Sequence, residues 1–179
     1  MKNSLFLAIL LFSFVGLYAQ KTLVPTDAGS KVHFVIKNFG INTGGDLAGL
    51  KGAIKIVPTS PAASVVDVTA QVSTIDTDNE RRDSHLKTAD YFDIGKYPTI
   101  HLVSTKISST STPGSYIFTG NLSIKAVTKT VSFPFTATAA NGGYLFVGGF
   151  SINRLDFGVG KGSATLSDDV KVQLAIAAK

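Results

Sequence analysis

Polar side chains that could take part in chemistry gather in one segment of the chain, residues 76–93. Six of the twelve acidic residues and two of the three arginines lie there, and Ser84 and His85 are neighbours within it. Such groups serve in nucleophilic catalysis, in general acid–base catalysis, or in binding a polar ligand. The segment is therefore the first candidate for an active site or a binding site.

Catalysis by this segment is not favoured by the spacing of its residues. Ser84 and His85 would point apart as neighbours on a helix, and the Gly-x-Ser-x-Gly sequence of many hydrolases is absent. Asp83, Asp90 and Asp93 are close enough in sequence that a catalytic carboxylate pair stays open. No feature of the sequence marks any of them as having a raised pKa. We therefore expect a protein that is not an enzyme.

A short helix over about residues 79–87 is predicted to carry these polar groups. Thr77 and Glu80 fit a capping box, with Asp78 as an alternative N-cap. Two i,i+4 ion pairs with the acid first would stabilise the helix. They are Asp78 with Arg82, and Asp83 with Lys87.

One face of this helix combines polar groups with an apolar anchor. The separations of 3, 4 and 7 residues place four side chains together: Asn79, Arg82, Asp83 and Leu86. If Leu86 packs inward, Arg82 and Asp83 flank it.

The rest of the chain has the period of β-strands, with apolar residues at every second position. Eight such segments are separated mostly by Gly, Pro, Asn and Ser. They are Ser30–Asn38, Ala53–Val57, Val65–Ser73, Thr99–Ile107, Tyr116–Lys125, Val131–Thr138, Tyr144–Asn153 and Asp169–Ala177. Eight strands with one apolar face, joined by short turns, predict an all-β fold. We expect an antiparallel barrel or a sandwich, with the helix as an insertion.

The N-terminus and the composition indicate where the protein works. A positive start, an apolar run over residues 5–17 and the small residue Ala19 are typical of a secretory signal peptide over residues 1–19. Residues 20–179 would then form a single domain, in the periplasm or secreted. The chain has no cysteine, and no transmembrane segment is predicted.

The charge and the histidines exclude two further classes of partner. The formal net charge is +5, but the lysines are scattered and form no basic patch with interleaved aromatic residues, so nucleic acid is not an expected partner. The histidines show no pair at metal-ligand spacing: His33, His85 and His101. We expect neither a metal nor a cofactor.

Three blocks of residues resemble the signature of the YceI-like family, a group of bacterial periplasmic polyisoprenoid-binding proteins. The first block runs from Asn79 through Arg82-Asp83, His85-Leu86 and Tyr91-Phe92-Asp93 to Tyr97-Pro98-Thr99-Ile100 and Ser104-Thr105. The second is Gly120–Ile124 with Thr128-Lys129 and Val131, and the third is Arg154–Gly158. They occur in the family's order over most of the chain that follows the predicted signal peptide.

The resemblance implies a lipocalin-like, eight-stranded antiparallel barrel whose apolar cavity holds a long-chain isoprenoid or another amphiphilic lipid. It implies binding for sequestration, storage or transport in the cell envelope, without a cofactor. An eight-stranded barrel is just wide enough to be filled by side chains or to hold a narrow ligand. The alternation of the strands places ten candidate cavity residues on apolar faces: Phe34, Ile36, Ile100, Leu102, Phe118, Leu122, Phe133, Phe135, Phe146 and Phe150.

The polar residues of the first and third blocks have two interpretations. They could form a polar rim that contacts the ligand's head group: Asn79, Arg82, Asp83, His85, Arg154 and Asp156. Alternatively, Arg82 and Asp83 pair with strand ends or with Arg154 and Asp156 and only hold the helix across the barrel. Two alternatives to lipid carriage also stay open. One is a filled barrel that makes transient contact with a protein or an envelope component, and the other is an enzyme acting on an amphiphile.

Overall fold

The computed structural model describes residues 22–179. The predicted signal peptide, residues 1–19, lies outside the described residues. The strands of the described part are β1 Thr22–Leu23, β2 Pro25–Asn38, β3 Ile41–Lys55, β4 Val65–Asp76, β5 Thr99–Ser109, β6 Ser115–Ile124, β7 Val127–Ala140, β8 Gly143–Asn153 and β9 Leu166–Ala178.

These strands form one antiparallel sheet that closes on itself. The order across the sheet is β1-β3-β2-β9-β8-β7-β6-β5-β4, and pairing of β3 with β4 completes the ring. Strand β1 only adds a two-residue pairing to β3, so the barrel has eight strands. The predicted eight-stranded antiparallel barrel is confirmed.

The two ends of the barrel differ in how they are covered. One end, called the helix end below, carries the insertion between β4 and β5, which contains the helix α1, Glu80–Leu86. The β2–β3 hairpin and the 3-10 turn Arg154–Phe157 that follows β8 lie at the same end. The opposite end, called the far end, carries the β5–β6 and β7–β8 turns.

Strand β3 begins twelve residues before the predicted segment Ala53–Val57. The prediction missed its first part because that part is rich in glycine and shows no alternation of apolar and polar side chains. Its glycines permit close approach of neighbouring groups. A Cβ at Gly45 would lie 2.6 Å from Phe34 and Thr77, and one at Gly52 would lie 2.1 Å from the carbonyl oxygen of Asp67. A side chain at either position would collide with its neighbours.

The predicted helix is present, but its cap and its ion pairs differ from the prediction. Asn79 is the N-cap and accepts a hydrogen bond from the backbone N–H of Arg82, so the predicted capping box is wrong. The predicted ion pairs Asp78–Arg82 and Asp83–Lys87 are also wrong, because Arg82 and Asp83 both turn towards Thr77.

Candidate functional site

The barrel encloses an apolar cavity of about 400 Å³. All eight barrel strands contribute to its wall, because inward-facing residues alternate with outward-facing ones along each strand. The ten residues predicted to line a cavity all lie in this wall. Their contact with a ligand stays a prediction.

Aromatic rings stack across three neighbouring strands of the wall. The centroids of Phe118 and Phe133 lie 4.8 Å apart, and those of Phe133 and Phe150 lie 4.7 Å apart. The three residues come from β6, β7 and β8, whose register places their side chains on the same inner face. This stack gives one side of the cavity a firm aromatic surface.

The cavity is closed at the far end by side chains that do not line it. Leu23, Ile107 and Tyr116 are buried there in one apolar cluster. At the helix end, the wall is completed by Leu86, Tyr91 and Phe92 from the insertion. The insertion therefore places polar groups in the cavity wall at the helix end.

Thr77, directly after β4, joins the insertion to the barrel. Its backbone N–H donates to Asp83 Oδ1 over 3.0 Å, and its hydroxyl donates to the same oxygen. Arg82 Nε donates to Thr77 Oγ1 over 2.8 Å, and Arg82 Nη2 donates to the Thr77 carbonyl oxygen. Thr77 is only 5% exposed. The sequence interpretation missed this role because it assigned Thr77 to a helix cap.

Replacing Thr77 with Val should lower the free energy of unfolding by about 2–3 kcal/mol, since hydrogen bonds to charged groups contribute about 1.5–3 kcal/mol each. Thr77→Ser keeps the hydroxyl and should lose less than half as much. Urea unfolding followed by circular dichroism measures both variants. Equal stability of Thr77→Val and the unchanged protein would show that the insertion is held by other contacts.

Arg154 holds the loop that follows the 3-10 turn at the helix end. It is only 4% exposed. Its guanidinium donates to the carbonyl oxygens of Ser167, Val159 and Lys161 over 2.9, 2.9 and 2.8 Å, and to Asp168 Oδ1 over 2.8 Å. Arg82 and Asp83 do not pair with Arg154 and Asp156, because each arginine is bound in its own network. They pair instead at a strand end, with Thr77 directly after β4.

The loop held by Arg154 also packs against the insertion. Gly160 has φ of 71°, and its N–H donates to the carbonyl oxygen of Asp90 over 3.0 Å. A Cβ at Gly160 would lie 2.9 Å from both Arg154 Nη1 and the ring of Tyr91. Glycine is therefore needed where the loop passes between these two side chains.

The six residues of the predicted polar rim separate into two groups. Arg82, His85 and Arg154 line the cavity, whereas Asn79, Asp83 and Asp156 do not. Asn79 caps α1, Asp83 binds Thr77, and Asp156 is exposed on the 3-10 turn.

Of the three rim residues that line the cavity, His85 is the one whose side chain makes no hydrogen bond within the described residues. Its ring meets the Tyr91 ring edge-on, with centroids 4.9 Å apart and an interplanar angle of 74°. Within residues 22–179, its ring nitrogens have no hydrogen-bond partner. His85 is therefore available to a polar group at the mouth of the cavity.

The described part of the chain shows neither of two other kinds of site. No three His, Cys, Asp or Glu side chains among residues 22–179 are grouped closely enough to hold a metal ion. In the same residues, no helix has the length and apolar character needed to cross a membrane.

The chain is similar to known proteins in both sequence and structure. Residues 23–178 match the YceI-like domain. A UPF0312 protein of Photorhabdus laumondii is 35% identical over 80 residues, which are 45% of this chain and 41% of that protein. The chain thus spans less than half of that relative's length.

Solved structures share the fold. BcnA of Burkholderia cenocepacia superposes with a TM-score of 0.80 at 27% identity, covering 85% of this chain and 98% of BcnA. A domain of Saccharophagus degradans described as polyisoprenoid-binding has a TM-score of 0.68 at 10% identity and covers 90% of this chain and 99% of that domain. The match of residues 23–178 to the YceI-like domain, nearly the whole described barrel, shows that the chain belongs to the YceI-like family.

Proposed function

We propose that the protein binds the apolar chain of a long-chain amphiphile, a polyisoprenoid or similar lipid, inside the barrel. The observation that carries this proposal is the cavity of about 400 Å³. Its volume is within the range of about 300–1,000 Å³ that is common for ligand pockets. The description of the Saccharophagus degradans domain as polyisoprenoid-binding supports the same class of ligand.

The distribution of polar groups supports one orientation of this ligand. The far end is closed by apolar side chains, whereas Arg82 and His85 lie at the helix end. Burial of each methylene contributes about 0.8 kcal/mol, so the hydrocarbon chain would provide most of the affinity. The head group would lie beside His85, where it can form a hydrogen bond without disturbing the contacts that Arg82 makes with Thr77.

The proposed setting is the cell envelope, in the periplasm or outside the cell, where the protein would sequester, store or transport its lipid. This rests on the signal sequence predicted for residues 1–19. A filled barrel that only contacts other envelope components is the second candidate, but a cavity of this size does not favour it. The proposed role is binding without chemical conversion of the lipid.

Titration with isoprenoid alcohols of increasing length tests the proposal. Geraniol, farnesol and geranylgeraniol are offered in turn, and displacement of a fluorescent fatty probe reports their affinity. We expect saturable binding that tightens with each added isoprene unit until the cavity is full. Absence of saturable binding for every alcohol, by a protein that is folded, would contradict the proposal.

Replacing His85 with Ala should weaken binding of an isoprenoid alcohol about tenfold, the equivalent of one hydrogen bond of about 1–1.5 kcal/mol. The melting temperature should change little, because the side chain is exposed and has no hydrogen bond within the described residues. The neighbouring exposed Ser84→Ala provides the matched control. If His85→Ala weakens binding of the corresponding hydrocarbon, which lacks the hydroxyl, by the same factor, then His85 contributes to the cavity wall and does not contact a head group.

A further inference from the structure

The tip of the β2–β3 hairpin, residues 38–41, exposes two large apolar side chains. Phe39 is 74% exposed and Ile41 is 71% exposed, more than any other large apolar residue in the described chain. Asn38 pairs with Ile41, so Phe39 and Gly40 form a two-residue turn between the strands. The tip therefore presents two neighbouring apolar groups to solvent.

Local folding preference does not explain the aromatic residue in this turn. Both central residues have positive φ, 50° for Phe39 and 77° for Gly40. A two-residue turn of this kind favours Asn or Asp before Gly, and a bulky side chain is disfavoured there. Phe39 is thus both strained and exposed, which points to a role outside the folding of the hairpin.

The tip lies beside the mouth of the cavity. Ile36 and Asn38, which precede Phe39 on β2, line the cavity. The Phe39 N–H donates to the Thr165 carbonyl oxygen over 2.8 Å, which ties the tip to the loop before β9. Any surface that receives Phe39 and Ile41 would therefore also face the helix end of the barrel.

The two segments that form and adjoin the tip carry positive charge only, and the nearest acidic residues of the helix end lie outside them, at Asp46, Asp156 and Asp169. The hairpin residues 37–45 and the adjoining loop 158–165 contain Lys37 and Lys161 but no acidic residue. Both lysines are exposed, and neither forms an ion pair within the described chain. Apolar side chains flanked by lysines match the two layers of an anionic membrane surface, the acyl region and the charged head groups.

We propose that the β2–β3 hairpin tip inserts Phe39 and Ile41 into the surface of an anionic lipid bilayer, with Lys37 and Lys161 on its head groups. This rests on the proposed lipid-binding function and adds the route by which a ligand enters. Docking by the tip turns the helix end towards the membrane. An amphiphile can then pass between bilayer and cavity without its whole chain crossing water.

Flotation with vesicles tests the docking. The chain that follows the predicted signal peptide, residues 20–179, is mixed with phosphatidylcholine vesicles that contain or lack phosphatidylglycerol. We expect binding to the vesicles that contain phosphatidylglycerol, weakened by salt. The double variant Phe39→Asn, Ile41→Thr should bind at least roughly tenfold less, since it loses most of the apolar insertion. Because Asn suits the turn better than Phe, this variant should keep the thermal stability of the unchanged protein.

Val65→Thr is the matched control, because Val65 is also an exposed apolar residue but begins β4 at the far end. It should bind vesicles as the unchanged protein does. Undiminished binding by the double variant, or no vesicle binding by the unchanged protein, would overturn the docking proposal. If the unchanged protein proves to be a dimer and the double variant a monomer that binds vesicles equally well, the tip serves a second copy of the chain and the docking proposal is overturned.

Uptake of geranylgeraniol from solution separates this proposal from the proposed function. If the double variant takes up the alcohol from solution but no longer extracts it from vesicles, both proposals hold. If the unchanged protein takes up no alcohol and still needs Phe39 to bind vesicles, the carrier function fails and membrane docking stands.

Discussion

Replacing Val172 with Trp should weaken binding of a long-chain isoprenoid by roughly 200-fold, the equivalent of removing about four buried methylenes at about 0.8 kcal/mol each. Val172 lies on β9 in the middle of the cavity wall, where it pairs with Phe34 on one side and Phe150 on the other. An indole at this position would occupy space that the proposed ligand needs. Since the indole enters a cavity and not a filled core, we expect the barrel to stay folded.

Gln173→Trp is the matched control for this substitution. Gln173 is the next residue of β9 and is exposed on the outside of the barrel, because adjacent residues of a strand face opposite sides. The control should bind the isoprenoid as the unchanged protein does. If Val172→Trp is folded and binds with undiminished affinity, the ligand is not held in the barrel.

Replacing Arg154 with Met should lower the free energy of unfolding by about 3–5 kcal/mol. The substitution removes four charge-assisted hydrogen bonds of about 1.5–3 kcal/mol each, and water entering the site would recover part of this loss. It leaves the carbonyl oxygens of Val159, Lys161 and Ser167 without their donor. At about 2–4 °C per kcal/mol for a protein of this size, the melting temperature should fall by roughly 10 °C.

Arg154→Lys distinguishes the geometry of the guanidinium from its charge. A single ammonium group cannot reach three carbonyl oxygens and Asp168 together, so we expect a loss close to that of Arg154→Met. Urea unfolding with linear extrapolation gives both values. A loss below about 1 kcal/mol for Arg154→Met would show that the loop at the helix end is held mainly by its packing against Tyr91.

The alternation of side chains was enough to predict the strands and the face of their apolar residues, whereas the choice of a barrel over a sandwich came from the resemblance to the YceI-like family. The period of two along a strand predicts that Phe118 and Phe133 face inward, and the closed sheet places them in the cavity wall. Alternation did not predict the part of strand β3 over residues 41–52. Its glycines give no periodic signal, and the need for them lies in neighbours such as Phe34 and Asp67, which only the folded chain brings close.

The candidate site was predicted less completely than the barrel. Whether inward phenylalanines fill the space or line a void depends on how the rings pack in three dimensions, and the sequence pattern is the same in both cases. The roles of Arg82 and Arg154 depend on which backbone oxygens their guanidinium groups can reach. The role of Asp83 depends on the N–H and hydroxyl groups of Thr77, from which it accepts hydrogen bonds. Thr77 binds Arg82 and Asp83 through its hydroxyl and its backbone. The spacing of residues along a helix does not predict these hydrogen bonds.

Native mass spectrometry of gently purified protein tests the central claim most directly. We predict a species heavier than the bare chain by the mass of an isoprenoid lipid, which fragments away from the protein on activation. The same preparation of Val172→Trp should lack that species. A spectrum that shows only the bare chain, from unchanged protein that also takes up no offered isoprenoid, would contradict the claim that this barrel is a lipid-binding protein.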